Sequence, residues 1–167
     1  FNIPRVAQLS QRSNQFNLRT IRYTEEQVTA MEQNDKFVTF SFTLEDKFGD
    51  NGLIAVVIME KKDAETLFID TWFMSCRVLK RGMENFTLNT LVDFARQNGF
   101  RKIIGEYLPT AKNGMVKDLY PNLGFIPVKD TTENQWVLEV SIYKERESYI
   151  LTKCNIYINN GTSRDFK

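Results

Sequence analysis

Histidine is absent from the 167 residues. That excludes a Ser-His-Asp triad, a Cys-His pair and an HExxH zinc site. Any proton carrier must be Asp, Glu, Lys, Tyr, Cys or a water. Cysteine is scarce as well: Cys76 and Cys154 stand far apart and form no CxxC. Two thiols alone do not close an ordinary structural zinc site, so no metal is expected in this domain. Nor do they make a disulfide framework, which points to a reducing, cytoplasmic setting. No apolar run approaches the about 20 residues that span a bilayer, and no signal-peptide pattern follows Phe1, so no membrane contact is expected. An excess of one charge is missing too. The 22 basic and 21 acidic residues give +1, which argues against a broad nucleic-acid surface.

What is present fits one globular domain: 42% hydrophobic, 13% aromatic and 26% charged residues, without repeats or Pro/Gly-rich linkers. The expectation is a single domain over 1–167, with a helical extension over about 1–20 and an unassigned tail at 144–167. Because the chain starts at Phe1, it is expected to be excised from something longer.

Local patterns give the elements. Pro4 suits a helix start, with Val6, Leu9 and Ser13 on one face and an end near Asn14 or Asn17. Leu18 to Tyr23 alternates like a short strand. Thr24 and Gln27 form a capping box before a helix through Val28 and Met31. From Phe37 the period is two, with Val38, Phe40, Phe42 and Leu44 on one face. Phe48-Gly49-Asp50-Asn51-Gly52 reads as a hairpin turn. Leu53 to Met59 is apolar throughout, as in a central strand covered on both faces. Thr66 to Met74 is the next strand. Leu88, Leu91, Val92 and Ala95 mark a helix ended by Asn98-Gly99. Lys102 to Tyr107 is a strand, Asn113 to Leu119 a short helix, and Gly124–Pro127 and Trp136–Val140 are further strands. Tyr149–Leu151 and Asn155–Ile158 are candidate strands in the tail. The class is α+β, with a mixed, mostly antiparallel central sheet flanked by helices.

This order resembles the GNAT acyltransferase superfamily. Tyr120-Pro121-Asn122-Leu123-Gly124-Phe125, after the short helix, is similar to that superfamily's Tyr-x-x-x-Gly-Phe motif. The strand, loop and helix from Thr66 to Asn98 correspond to the part that cradles the pyrophosphate of coenzyme A with backbone N–H groups. The resemblance implies that Val78, Leu79, Lys80, Arg81, Gly82, Met83 and Glu84 hold a phosphate group. Aligning Gly82 on the first glycine of the usual loop pattern puts Leu79 at its Arg/Gln position and Glu84 at its last glycine. It also implies that the strands after Thr71 and Arg101 splay, opening a cleft in which a pantetheine arm adds like a strand.

A narrower resemblance rests on Ser13-Asn14-Gln15-Phe16-Asn17-Leu18, Arg22-Tyr23, Phe48 to Gly52, and Trp72-Phe73-Met74-Ser75-Cys76-Arg77-Val78-Leu79. Over about residues 5 to 140 these resemble the GNAT-like C-terminal domain of FkbH-like proteins of methoxymalonyl and glyceryl carrier-protein biosynthesis. The implied function is transfer of a small, glyceryl-like acyl group to the phosphopantetheine thiol of an acyl carrier protein. The implied partners are that carrier and a preceding haloacid-dehalogenase-type phosphatase domain, whose Asp-x-Asp-x-Thr motif this chain lacks. The alternatives are a GNAT N-acetyltransferase using coenzyme A or acetyl-CoA, and a carrier-docking module without catalysis.

Cys76 is then the candidate acyl relay, since thioester exchange is nearly isoenergetic; the competing reading is a small buried hydrophobe. Tyr120 is the candidate donor to a departing thiolate, or an aromatic packed on Phe125. Asp70 is a candidate base or orienting group, or half of a strand-end ion pair. Counting by twos places Asp70, Trp72, Met74 and Cys76 on one face. Glu84 serves either as base or as support for the helix start. Asn14, Gln15, Asn17, Trp72 and Asn113 are candidate substrate contacts, the asparagines otherwise capping local structure. Lys112 and Lys117 are candidate contacts for the carrier, and Cys154 is expected to be inert.

Overall fold

The computed structural model describes residues 2–46, 49–78, 82–130, 134–148 and 154–159. The chain opens with helix α1, Ile3–Arg12, where the Asn2 side chain accepts a hydrogen bond from the Arg5 N–H. It stops short of Asn14 because the Arg22 guanidinium takes the carbonyls of Ser10 and Ser13. Helix α2, Glu25–Glu32, carries both reciprocal bonds of its Thr24–Gln27 capping box.

Strands β1 (Phe37–Asp46), β2 (Gly49–Lys61) and β3 (Thr66–Met74) run antiparallel. Asp50 to Gly52 belong to β2 rather than to a turn, and Gly52 takes φ +65° where the β1–β2 register slips. β2 is central and covered on both faces, as expected. Ala55, Val57 and Met59 join the core under helix α3 (Met83–Gln97), while Val56 and Ile58 join the core under α1 and α2. Asn98 and Gly99 end α3, with Gly99 at φ +78°.

Strand β4 (Lys102–Glu106) follows α3 and lies parallel to β3. The expected single helix near Asn113 is instead a 3-10 turn, Gly114–Val116, and a separate helix α4, Leu119–Asn122. Tyr120 is thus inside α4 rather than after a helix. Strands β5 (Ile126–Pro127), β6 (Gln135–Glu139) and β7 (Cys154–Asn159) complete the sheet in the order β5-β6-β4-β3-β2-β1-β7. Tail strand β7 pairs antiparallel with β1 at the edge. Tyr149–Leu151 fall outside the described residues. Among the described residues, no helix is long and apolar enough to cross a membrane.

Two departures from regularity shape the middle of the sheet. First, β2 pairs Ile58 with Thr71 and Met59 with Ile69, so Asp70 is the extra residue of a bulge. The bulge breaks the count by twos. Leu67, Ile69, Trp72 and Met74 share the larger core, and Asp70 turns to other partners. Second, β3 and β4 pair only from Thr66–Lys102 to Phe68–Ile104. Beyond Phe68 they diverge, as expected, and leave a wedge between them.

Candidate functional site

The wedge is filled by the chain itself. Phe16 to Arg19, expected in part as an ordinary strand, form an irregular segment lying between the diverging strands. Asn17 bridges antiparallel to Phe73, and the Met74 N–H donates to the Phe16 carbonyl at 3.3 Å. On the other side the Leu108 N–H donates to the Leu18 carbonyl at 2.9 Å. Phe16 and Leu18 are buried in the main core, contributing about 1.5–3 kcal/mol each. The turn that follows puts Thr20 at φ +52°, an uncommon conformation for a β-branched residue, fixed by its N–H donating to Asn17 Oδ1.

Deeper in the wedge, Arg19 links both strands. Its Nη1 donates to the Asp70 carboxylate at 3.1 Å and to the Asp70 carbonyl at 3.0 Å. Its Nε donates to Glu106 at 3.0 Å. Asp70 also accepts from the Tyr23 hydroxyl at 2.7 Å and from Thr71 Oγ1 at 2.8 Å. Burial, followed by the Asp70 hydrogen bond, pushes the Tyr23 phenol well above its usual range. Asp70 is therefore the centre of a three-donor network, an ion pair at the bulge inside β3 rather than at a strand end.

Below Arg19 lies Tyr120, 1% exposed. A Cβ on Gly105 would meet its Cζ at 2.3 Å, so only glycine on β4 lets the ring lie against the strand. The ring packs on Phe125 at 4.9 Å and faces Trp72 at 6.3 Å. Burial raises the phenol far above its usual range, opposed by Arg19 and reinforced by Glu106. Tyr120 Oη and Trp72 Nε1 are buried without hydrogen-bond partners among the described residues.

A separate cavity of about 890 Å³ opens where β3 ends, beside α1. Its wall contains exposed Cys76, the first residue of a 3-10 turn, Cys76–Val78, that stops the strand. Asn14 and Gln15 line it, as do Arg5, Arg12 and Lys112, none of which forms an ion pair with a described residue. The Asn14 Oδ1 is already taken by Arg22, leaving the amide nitrogen for a ligand. Arg5 and Arg12 were not singled out by sequence reasoning. Their signal is their seven-residue spacing, which places both on one face of α1.

The structure therefore groups Cys76, Asn14, Gln15 and Lys112 and separates the other candidates from them. Asn17 and Asn113 do not line the cavity. Asn113 is fully buried, accepting from the Thr110 N–H and donating to the carbonyls of Asn17 and Leu108. Asn17 donates to the Ser13 carbonyl and accepts from Thr20. Both hold the wedge segment, and the Asn113 side chain does so instead of capping the 3-10 turn that follows it. Trp72, Tyr120 and Asp70 lie in or beneath the wedge rather than around the thiol. The strand bulge and the burial of both rings are the reasons. In the proposed phosphate loop, Val78 and Met83 are buried in the core and Gly82 sits at φ +80° as the N-cap of α3. Glu84 is in the first turn of α3, where a carboxylate favours the helix dipole. Leu79, Lys80 and Arg81 lie outside the described residues. Cys154 is half-buried, and burial pushes its thiol up to about 12.

No protein-family model matches the chain, and no curated protein matches its sequence. Solved structures do match. The ribosomal-protein-S18-alanine N-acetyltransferase from Escherichia coli aligns at 18% identity and TM-score 0.57, over 87% of this chain and 92% of that one. The spermidine/spermine N-acetyltransferase SpeG from Vibrio cholerae, in mutant form, aligns at 14% identity and TM-score 0.57, over 84% and 89%. The GNAT domain of S. lividans PAT aligns at 19% identity and TM-score 0.56, over 71% and 70%. With the seven-stranded sheet and its splay, these matches show that the chain has the GNAT fold.

Proposed function

We propose that this domain is an acyltransferase in which Cys76 accepts a small, glyceryl-like acyl group and passes it to the phosphopantetheine thiol of an acyl carrier protein. The observation that carries the reading is the cavity. One exposed thiol shares it with two amides and with three cations that have no ion-pair partner among the described residues. A thiol is a nucleophile that can take up an acyl group without a histidine partner. Amides suit the hydroxyls of a short polar acyl chain, and Arg5, Arg12 and Lys112 suit a phosphate. In the first step the Cys76 sulfur attacks the carbonyl of an acyl phosphate, its proton passes to solvent, and phosphate leaves. In the second, the carrier's thiol attacks the Cys76 thioester and Cys76 departs as the thiol.

Exposed Lys112 and Lys117 flank Met115, which is 54% exposed. This small basic and apolar patch suits the acidic helices of a carrier protein. The FkbH-like motifs around Cys76 and Asn14 support the same assignment, with a phosphatase domain preceding this one in the full protein. A second reading, an N-acetyltransferase using coenzyme A, draws on the structural neighbours, two of which are named N-acetyltransferases.

Titration with the carrier protein tests the proposal. The holo carrier, bearing the pantetheine arm, is expected to bind more tightly than the apo form. Binding weakens with salt and with Lys112→Glu. Equal affinity for both forms, insensitive to salt and to Lys112→Glu, contradicts it.

A further inference from the structure

A GNAT fold leads one to expect an open cleft between the diverging strands, and here the residues present do not fit a pantetheine arm in it. The backbone of Phe16 to Leu18 already makes the strand-like contacts, to Phe73 and Met74 on one side and to Leu108 on the other. Arg19 closes the next level by holding Asp70 and Glu106 together. The Tyr120 ring fills the floor against Gly105. Withdrawing the segment would expose Phe16 and Leu18, strip Arg19 from two part-buried carboxylates, and take from the buried Asn113 its bond to the Asn17 carbonyl. Such a segment is a constituent of the core rather than a gate.

We infer that Phe16 to Arg19 is a permanent insert that shuts the wedge to coenzyme A, so that the pantetheine thiol of a carrier reaches Cys76 end-on, through the cavity beside α1. This rests on the reading of Cys76 as acyl acceptor. It makes the insert the element that selects a thiol presented at the tip of an arm over an acyl-coenzyme A threaded between strands. The cavity and the wedge share Phe16 and Met74, so one face of the insert forms the wall along which the thiol would approach.

Hydrogen exchange of the wild-type chain tests the inference. The probes are the Met74 and Leu108 amides, which are bonded to the insert. With millimolar acetyl-coenzyme A, protection at both is expected to stay within about twofold of the free protein. Loss of protection, or saturable chemical-shift changes at the Gly105 and Leu108 amides, would show the insert displaced and overturns the inference. Iodoacetamide labelling of Cys76 with and without 4′-phosphopantetheine is run in parallel. Slower labelling supports entry by the cavity. Unchanged labelling with unchanged exchange overturns the end-on route while leaving the wedge closed, and acylation of Cys76 is read separately from intact mass, so the failures are distinguishable.

Discussion

Arg19 Nη1 stands 3.1 Å from the Asp70 carboxylate although 51 residues separate them in sequence. The same guanidinium holds Glu106, and the three groups tie the N-terminal segment to both diverging strands. Sites that would otherwise be open backbone edges are thereby built into the core.

Removing this guanidinium leaves two part-buried carboxylates without their cation. Arg19→Ala is expected to destabilise the domain by about 3 kcal/mol, read from urea unfolding at neutral pH. Arg19→Lys recovers only part, because an ammonium lacks the fork that reaches both acids. A loss below about 0.5 kcal/mol for Arg19→Ala would show that the link across the wedge is dispensable.

The close approach of Gly105 and Tyr120 gives a second pair of variants. Gly105→Ala forces a Cβ into the phenol ring and is expected to cost about 1–3 kcal/mol or more. Tyr120→Phe removes only a buried hydroxyl that has no partner among the described residues, and should leave stability equal or slightly higher. It should also leave acyl transfer unchanged. A large loss of transfer at full stability would return Tyr120 to the reacting centre.

The elements were largely legible because they follow local rules. The Thr24–Gln27 box, the alternation from Phe37 and the apolar β2 all appear where their patterns put them. Cys76 was singled out from its motif, and the strand end exposes it. What sequence did not reveal is non-local. The Arg19 network spans 51 and 87 residues, and no periodicity announces it. Leu18 to Tyr23 alternates like a strand, yet no free neighbour of matching length exists between β3 and β4. Asn17 and Thr20 bend it instead. The bulge at Asp70 adds one residue and undoes a face count that is correct on either side of it.

The two thiols should differ sharply in reactivity. Cys76 is exposed, whereas burial pushes Cys154 up to about 12. At a given pH near neutrality, a thiol raised that far from 9.0 holds roughly a thousandfold less thiolate than an ordinary one. Peptide mapping after iodoacetamide at pH 8 is expected to show Cys76 labelled at least about tenfold faster. Equal rates would contradict the burial of Cys154.

Alkaline pH should unfold the domain. Burial raises Cys154 from 9.0 to about 12 and Tyr143 from 10.0 to about 12. The unfolded chain loses these protons first, so their stabilisation is full below pH 9 and falls away between pH 9 and 12. The melting temperature should stay level from about pH 7 to 9 and drop above it, less steeply in Cys154→Ala. A melting temperature that rises above pH 9 contradicts the assignment.

Acylation of Cys76 is the central claim, and intact-protein mass spectrometry tests it most directly. The protein is incubated with a glyceryl-type acyl phosphate in the absence of carrier. One added acyl mass is expected, mapped to the Cys76 peptide, released by hydroxylamine and transferred when holo carrier is supplied. Cys76→Ala should carry no such mass and load the carrier far more slowly while still binding it. If Cys76→Ala loads the carrier at the wild-type rate, the acyl group passes directly from donor to carrier and Cys76 is not its acceptor.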